Sequence, residues 1–298
     1  MKQTPLASII VPCFNQAHFL PFAVDSALAQ TYPAVEVVVV NDGSTDGTSE
    51  VARSYGERIK LVEQPNSGLS AARNAGIAAA SGEFIVLLDS DDVLLPHCVE
   101  SRMKHMEDPA VGIVAGYYRE IDAQGQVQPR IPEVRRISGL PHFYQTVKRN
   151  WGPPVSWTIR RRALELCGVF DPFLKSCEDW DCLIRISTRF KIAYDPEVGA
   201  HYRQLPTSMS RNHQVMYDAG AKVLAKNSAY ARNKLAYAWW SQFGRFQHGR
   251  RILYNILTSG SPAHRLSSLA AICARRPALI WIGALSALSF AVGKRPSQ

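Results

Sequence analysis

Several signatures that would settle the chemistry of a chain of 298 residues are missing from this one. No G-x-G-x-x-G follows the first apolar run. SIIVPC at 8–13 leads instead into Phe14 and Asn15, which excludes a dinucleotide-binding Rossmann domain and its hydride chemistry. No G-x-x-x-x-G-K-[ST] loop occurs, and no glycine-rich phosphate loop stands near the N-terminus, so P-loop and nucleotidyltransferase readings fall away. The six cysteines, Cys13, Cys98, Cys167, Cys177, Cys182 and Cys273, lie at no paired metal spacing. Cys177 and Cys182 lack companion ligands and read as small, reduced packing residues of a cytosolic protein. The opening MKQTPLASIIVPCFN is too polar, and its apolar run too short, for a secretory signal. No internal repeat is visible. Acid is almost absent from the end of the chain: residues 205–298 hold nine arginines and four lysines against the single carboxylate Asp218, a net +12 that leaves −3 for residues 1–204 of the chain's +9.

What is present is an ordinary globular composition, 46% hydrophobic and 20% charged. Residues 8–13, 36–40, 59–63 and 84–88 read as buried strands, and 19–30, 48–55 and 71–80 as helices, the last ended by Ser81 and Gly82. Strands alternating with helices of about ten residues specify a parallel sheet with right-handed crossovers. From 111 to 203 the pattern loosens into short strands punctuated by Pro129, Pro132, Pro141, Pro153 and Pro154, the texture of a substrate-facing half.

The densest feature is EFIVLLDSDD at 83–92, where an apolar run ends in a D-x-D pattern: Asp89, Asp91 and Asp92 fall within four positions. A buried parallel strand delivers such acids to the carboxyl-end crevice, where open α/β sheets bind ligands. Three acids so close raise one another's pKa unless a cation stands between them. A hard divalent ion, Mg²⁺ or Mn²⁺ carrying a phosphate, is the expected partner. The competing reading is an acidic turn capping a helix that starts near Pro96.

Four motifs in order resemble the family 2 glycosyltransferases, nucleotide-sugar-dependent enzymes of the GT-A fold: SIIVPCFN at 8–15, VVVVNDGSTDGT at 37–48, NSGLSAARNAG at 66–76 and LLDSDD at 87–92. A fifth, GVFDPFLKSCEDWDCLIRIS at 168–187, is similar to the family's catalytic segment. One departure is Asn41, where the family often carries a second Asp. The resemblance implies an α/β, GT-A type, Rossmann-like fold over residues 1–204, with a mostly parallel central sheet flanked by helices. Residues 1–110 would form the nucleotide-sugar-binding half and 111–204 the acceptor-binding half. Implied donor contacts are Pro12, Asn15, Asp42, Ser67, Arg73, Asp89 and Arg203. Asp42 would accept an N–H of the base, or it is a turn residue with Gly43 and Ser44. The small residues at 66–76 let backbone approach an anion at a helix N-terminus. Arg73, one turn into that helix, reaches the diphosphate or the metal-site carboxylates, unless it is a surface residue of an alanine-rich helix. Asp89 is implied for the ribose and donor sugar and Asp91 for the metal, with Asp89, Asp92 and His201 as further ligand candidates.

Glycosyl transfer with inversion needs a base on the acceptor face, opposite the leaving group, to take the hydroxyl proton. By its place in CEDWD, Asp179 is implied as that base, with Glu178 its nearest rival and Asp181 behind. Trp180 offers a flat ring to a sugar, or packs a helix at 181–189 onto the core; the acids also suit a helix cap. His201 suits a metal ligand and Arg203 a phosphate clamp. WGPPVS at 151–156 reads as an acceptor-side loop.

Residues 205–298 read as a basic helical C-terminal extension, patterned from 213 to 259 with Tyr237, Trp239 and Trp240 among the cations. The apolar run at 277–292, flanked by Arg275, Arg276, Lys294 and Arg295, falls short of a transmembrane span. It suits peripheral docking at the inner face of the cytoplasmic membrane, or internal or dimer packing. The overall expectation is a metal-dependent, hexosyltransferase-type inverting enzyme. It would move a sugar from a nucleotide-diphospho-sugar to a glycan or lipid-linked acceptor in cell-envelope polysaccharide or glycolipid synthesis. A non-catalytic nucleotide-sugar-binding scaffold is the alternative, which Asp91 and Asp179 argue against. Nucleic acid is not an expected partner, since the basic segment carries no recognisable reading motif.

Overall fold

The computed structural model describes residues 4–129, 141–206 and 208–242. They group into two compact units, Met1–Thr146 with Asn150–Arg211, and Val147–Arg149 with the chain from Asn212 onward.

The first unit is built on one sheet of eight strands: β1 Ala7–Cys13, β2 Val35–Asp42, β3 Lys60–Gln64, β4 Phe84–Leu87, β5 Val93–Leu94, β6 Val111–Ile121, β7 Trp157–Arg160 and β8 Lys191–Arg203. Their order across the sheet is β3-β2-β1-β4-β7-β6-β8-β5. β3, β2, β1 and β4 are mutually parallel and β6 is parallel to β8, while β7 and β5 run against their neighbours. The helices are α1 Leu20–Leu28, α2 Thr48–Ser54, α3 Leu69–Ala79, α4 Cys98–Lys104, α5 His142–Lys148, whose last two residues are counted in the second unit, α6 Arg161–Cys167 and α7 Glu178–Ile186.

Strand side chains alternate between faces, and both faces are covered. Ile9, Val11, Val37, Val39 and Val86 pack with Leu20 and Val24 of α1, Ala52 of α2 and Val99 of α4. Ile10, Val38, Val40, Ile85 and Leu87 pack with Ile77 of α3, Leu164 of α6 and Leu183 of α7. Each buried Ile, Val or Leu among them contributes about 1.5–3 kcal/mol relative to exposure. This two-sided burial is why the strands read as unbroken apolar runs. α3 lies so close to β1 that a Cβ at Gly76 would collide with Ile10, an approach that brings Arg73, one turn earlier, to the end of β4.

Two expectations are corrected. Of the strands after residue 111 only β7, at 4 residues, is short: β6 and β8, at 11 and 13 residues, are the longest in the sheet. Register shifts at Val111/Ile113 and around Gly116 to Tyr118 break the alternation that a regular ladder would print in the sequence, and buried and partly buried positions are mixed along β8. The helix expected at 181–189 begins at Glu178, so the acids form its first turn.

In the second unit, α8 His213–Asn227 is capped by Asn212, whose side chain accepts from the Val215 N–H at 3.2 Å. A further helical segment at 234–242 is tied to it by Tyr237, which donates to the Leu224 carbonyl. Among the described residues no helix is long and apolar enough to cross a membrane. The helical pattern beyond 242, Cys273 and the apolar run at 277–292 lie outside the described residues.

Candidate active site

The residues expected to contact a donor at 12–68 lie at the end of β1 and on the loops that follow β1, β2 and β3. Asn15, in the left-handed region at φ 52, accepts the Thr45 N–H on Oδ1 at 2.8 Å and donates its own N–H to Ser44 Oγ at 3.0 Å. Pro12 lies within β1, buried and in register with Val40. The turn after β2 is held by Asn41, whose Oδ1 accepts the Ser44 N–H at 3.0 Å. Asp42, only 3% exposed, turns to the distant 64–68 loop. It accepts from Gln64 Nε2 at 2.6 Å, the Ser67 N–H at 2.8 Å and the Gly68 N–H at 2.9 Å. Gly68 caps α3, so the anion at that helix N-terminus is the chain's own carboxylate.

β4 delivers Asp89, Asp91 and Asp92 to the turn before β5, where each meets a different set of partners. Asp89 accepts Arg73 Nη2 on both oxygens, at 2.8 and 3.0 Å. Asp92 is buried, with Oδ1 accepting the Arg203 N–H at 2.8 Å and Oδ2 without a partner. No donor of another described residue reaches the Asp91 side chain; burial, and then the charge of Asp89, push its carboxyl up to about 6. Burial and the charges of Asp91 and Asp89 push Asp92 upward as well. Among the described residues no three or more His, Cys, Asp or Glu side chains are grouped to hold a metal. The cation beside Asp89 is Arg73. His201 lies on β8 opposite Val93, its pKa held down by burial and by Arg119 and Arg203. Arg203 is 5% exposed and donates Nε to the Asp91 carbonyl at 2.7 Å and Nη1 to those of Asp122 and Ala123 at 3.0 and 3.2 Å. These bonds make Arg203 a fastener of the turn. The residues present still fit a hard divalent ion. Such ions are held by one or two carboxylates plus substrate phosphates, and Asp91 is uncommitted beside the unpartnered oxygen of Asp92.

Arg73 joins the two halves of the site. Its side chain is 1% exposed, over the Phe170 ring at 5.4 Å, and Nη1 donates to Glu178 Oε1 at 2.6 Å. Burial opposes its charge, but the carboxylates of Asp89 and Glu178 more than offset this and hold its pKa above the ordinary value. One guanidinium thus ties the acids after β4 to the first turn of α7, whose entry is fixed by Cys177 in the left-handed region at φ 58. The acids of CEDWD then separate by partner. Glu178 pairs with Arg73. Asp181, fully buried, pairs with Arg185 at 2.9 Å, and Arg185 also holds the carbonyls of Cys167, Gly168 and Val169. Asp179 is half-buried, with Oδ2 accepting Asn150 Nδ2 at 2.8 Å and Oδ1 the Trp180 N–H at 2.7 Å. Burial, and then the charge of Glu178, push its carboxyl up to about 7.

Trp180 presents no face to a sugar: it is 2% exposed and donates Nε1 to the Thr146 carbonyl at 2.6 Å. Trp151, at the head of WGPPVS, is likewise an anchor, 3% exposed, with Nε1 on Thr146 Oγ1 at 3.1 Å. Sequence reasoning missed two residues. Asn74 clamps Phe170, giving Nδ2 to its carbonyl at 2.8 Å and taking its N–H at 3.0 Å, and Asn150 contacts Asp179. Asn74 stands in the motif at 66–76 and could have been singled out there, whereas nothing local marks Asn150.

Comparisons with known proteins bear on the family and the fold. The family model described as Glycosyl transferase family 2 matches residues 8–165, from β1 into α6. The uncharacterized glycosyltransferase RP339 of Rickettsia prowazekii is 33% identical over 211 residues, 66% of this chain and 64% of that protein. The uncharacterized glycosyltransferase EpsJ of Bacillus subtilis is 33% identical over 186 residues, 59% and 54% respectively. This chain thus spans less than two thirds of the length of either relative. Among solved structures, S. aureus TarS 1–349 in complex with UDP-GlcNAc superposes with a TM-score of 0.65 at 19% identity, covering 86% of this chain and 76% of that one. The mannosyltransferase PcManGT of Pyrobaculum calidifontis, in complex with GDP-Man and Mn²⁺, gives 0.64 at 20%, covering 95% and 84%. These likenesses establish the GT-A fold, and with a family match running through more than half of its residues, the chain belongs to glycosyl transferase family 2.

Proposed function

We propose that this glycosyltransferase moves a hexosyl group from a nucleotide-diphospho-sugar to a hydroxyl of a glycan or lipid-linked acceptor, with inversion at the anomeric carbon. The observation that carries the reading is the division of partners in the first turn of α7. Glu178 and Asp181 are neutralised by arginines, while Asp179 keeps a carboxyl with a pKa of about 7. A base works best with a pKa near the operating pH. Asp179 takes the proton of the acceptor hydroxyl as that oxygen attacks the anomeric carbon from the face opposite the diphosphate. The bond from carbon to phosphate oxygen breaks and its electron pair leaves with the nucleoside diphosphate. Asp89, held by Arg73, orients the donor sugar and ribose. Asp42 uses three of its roughly four acceptor sites on the 64–68 loop, which leaves one for an N–H of the base. Asp91, with Asp89 and Asp92 beside it, would hold Mg²⁺ or Mn²⁺. Bound there, such an ion neutralises charge on the departing diphosphate.

The ligands of the two fold neighbours, UDP-GlcNAc in one and GDP-Man with Mn²⁺ in the other, support a nucleotide-sugar donor and a divalent ion. A peripheral contact of the basic extension with an anionic cytoplasmic membrane surface is supported by its +12 charge and by Leu235 and Trp239, 84% and 63% exposed one turn apart. It suits an envelope-glycan acceptor. The test is a melting-temperature panel of UDP-, GDP- and dTDP-sugars with and without Mn²⁺, followed by NMR of the product's anomeric configuration. A donor-specific rise and an inverted product are expected. No response to any nucleotide sugar, or a retained configuration, overturns the reading.

A further inference from the structure

We propose that Asn150 is a positioning residue for the catalytic carboxylate: it fixes the orientation of Asp179 and holds its proton affinity in the working range. The inference rests on the reading of Asp179 as the base. Asn150 comes from the segment between α5 and β7, 29 residues from its partner, and both sides of the contact are anchored on one residue. Trp151, directly after Asn150, donates to Thr146 Oγ1 at 3.1 Å and packs its ring against Tyr194 at 5.4 Å. Trp180, directly after Asp179, donates to the Thr146 carbonyl at 2.6 Å. Thr146 thereby holds amide and carboxylate at their 2.8 Å separation.

The orientation of the amide is informative. Asn150 Oδ1 is buried without a partner, while Nδ2 points at Asp179. A buried, unpaired amide oxygen costs free energy, so nothing in packing alone favours Asn here over an apolar residue of similar size. The contact that offsets the cost is the charge-assisted hydrogen bond to Asp179. With the Trp180 N–H on Oδ1 and Asn150 on Oδ2, each oxygen holds one bond and the carboxylate plane is set, leaving lone pairs for an acceptor hydroxyl. Asn150 is also the one side-chain hydrogen-bond donor to Asp179 among the described residues. The charged and titratable groups facing Asp179 are Glu178, Cys177 and Cys182 on or beside its own helix and Arg73 from α3, which is shared with Asp89 and Glu178. A neutral donor favours the ionised form against the burial and the Glu178 charge.

The experiment is the pH profile of kcat/KM for the full chain, its Asn150→Ala form and its isosteric Asn150→Asp form, which trades the donor for a second carboxylate. The acid limb is expected to move up by about one pH unit in Asn150→Ala and further in Asn150→Asp, with much of the rate recovered at high pH and donor KM unchanged. An acid limb that stays in place in a folded variant, or a loss that is equal at every pH, overturns the proposal. If Asn150→Ala does not fold, the Asp form and Asn150→Ser, which restores a shorter donor, decide the question alone. Asp179→Asn separates the two readings. Retained turnover there removes the base assignment itself, whereas an inactive Asp179→Asn alongside unmoved Asn150 profiles removes only the role given to Asn150.

Discussion

Arg73→Met removes the cation shared by Asp89 and Glu178 and leaves two carboxylates facing each other's field. The arginine and Glu178 side chains are 1% and 9% exposed, so their pair cannot be replaced by water without opening the interface between α3 and α7. Breaking a buried pair by removing one partner costs about 3–5 kcal/mol. Asp89, at 23% exposed, can be rehydrated, so the second lost pair does not double the figure. A loss of about 4 kcal/mol corresponds to a fall in melting temperature of roughly 8–16 °C for a unit of this size. Urea and thermal unfolding followed by circular dichroism at pH 7.5 measure it. Arg73→Lys keeps the charge but cannot fork between two acids, and is expected to fall between the two. The combined variant Arg73→Met, Asp89→Asn, Glu178→Gln removes all three charges and should recover most of the loss. The reasoning is refuted by an Arg73→Met protein within about 1 kcal/mol of the wild type, or by a combined variant as unstable as the single one.

Three further outcomes follow from the site. The folded-state pKa of Asp179, about 7, lies above the usual carboxylate range, so the native chain holds that proton more tightly than the unfolded one and stability falls as pH rises from about 4 to 7. Asp179→Asn is therefore expected to be more stable than the wild type at pH 8, on the order of a few kcal/mol in urea unfolding. The gap should close as pH falls toward 4, and a gap that does not change with pH contradicts the assignment. Mn²⁺ with a matching nucleotide sugar should raise the melting temperature of the wild type but not of Asp91→Asn; an equal rise in both removes Asp91 from metal binding. Trp180→Phe loses the Nε1 bond to Thr146 and some buried area, for about 1–3 kcal/mol, with acceptor KM unchanged; a raised KM at unchanged stability would restore the sugar-platform reading.

The parallel half of the sheet was legible because burial on both faces writes unbroken apolar runs, as at 37–40 and 84–88, and because Ser81 and Gly82 mark the end of the helix before β4. β6 and β8 were not legible: their register shifts erase the period, and the pairing that lengthens them joins segments some 80 residues apart. At the site, the acids at 89–92 and 178–181 announced themselves by density, but what each one does is decided by partners far along the chain. The separation from Arg73 to Glu178 is 105 residues and from Asp92 to Arg203 is 111, and no local spacing encodes either. The like-charge argument for a cation among the acids was sound in its physics, yet a guanidinium one turn into α3 met part of that demand. Trp180 shows the same limit, since an indole beside carboxylates looks alike in sequence whether its ring stacks on a ligand or fills the core.

The most direct test of the account is the comparison of donor binding with turnover in Asp179→Asn, using calorimetry for the nucleotide sugar and a transfer assay for product. The prediction is a donor Kd near that of the wild type with transfer lowered by about 10²–10⁴-fold, the contribution of a positioned general base. Transfer within a few-fold of the wild type, from a variant that binds donor normally, would contradict the assignment of Asp179 on which the mechanism stands.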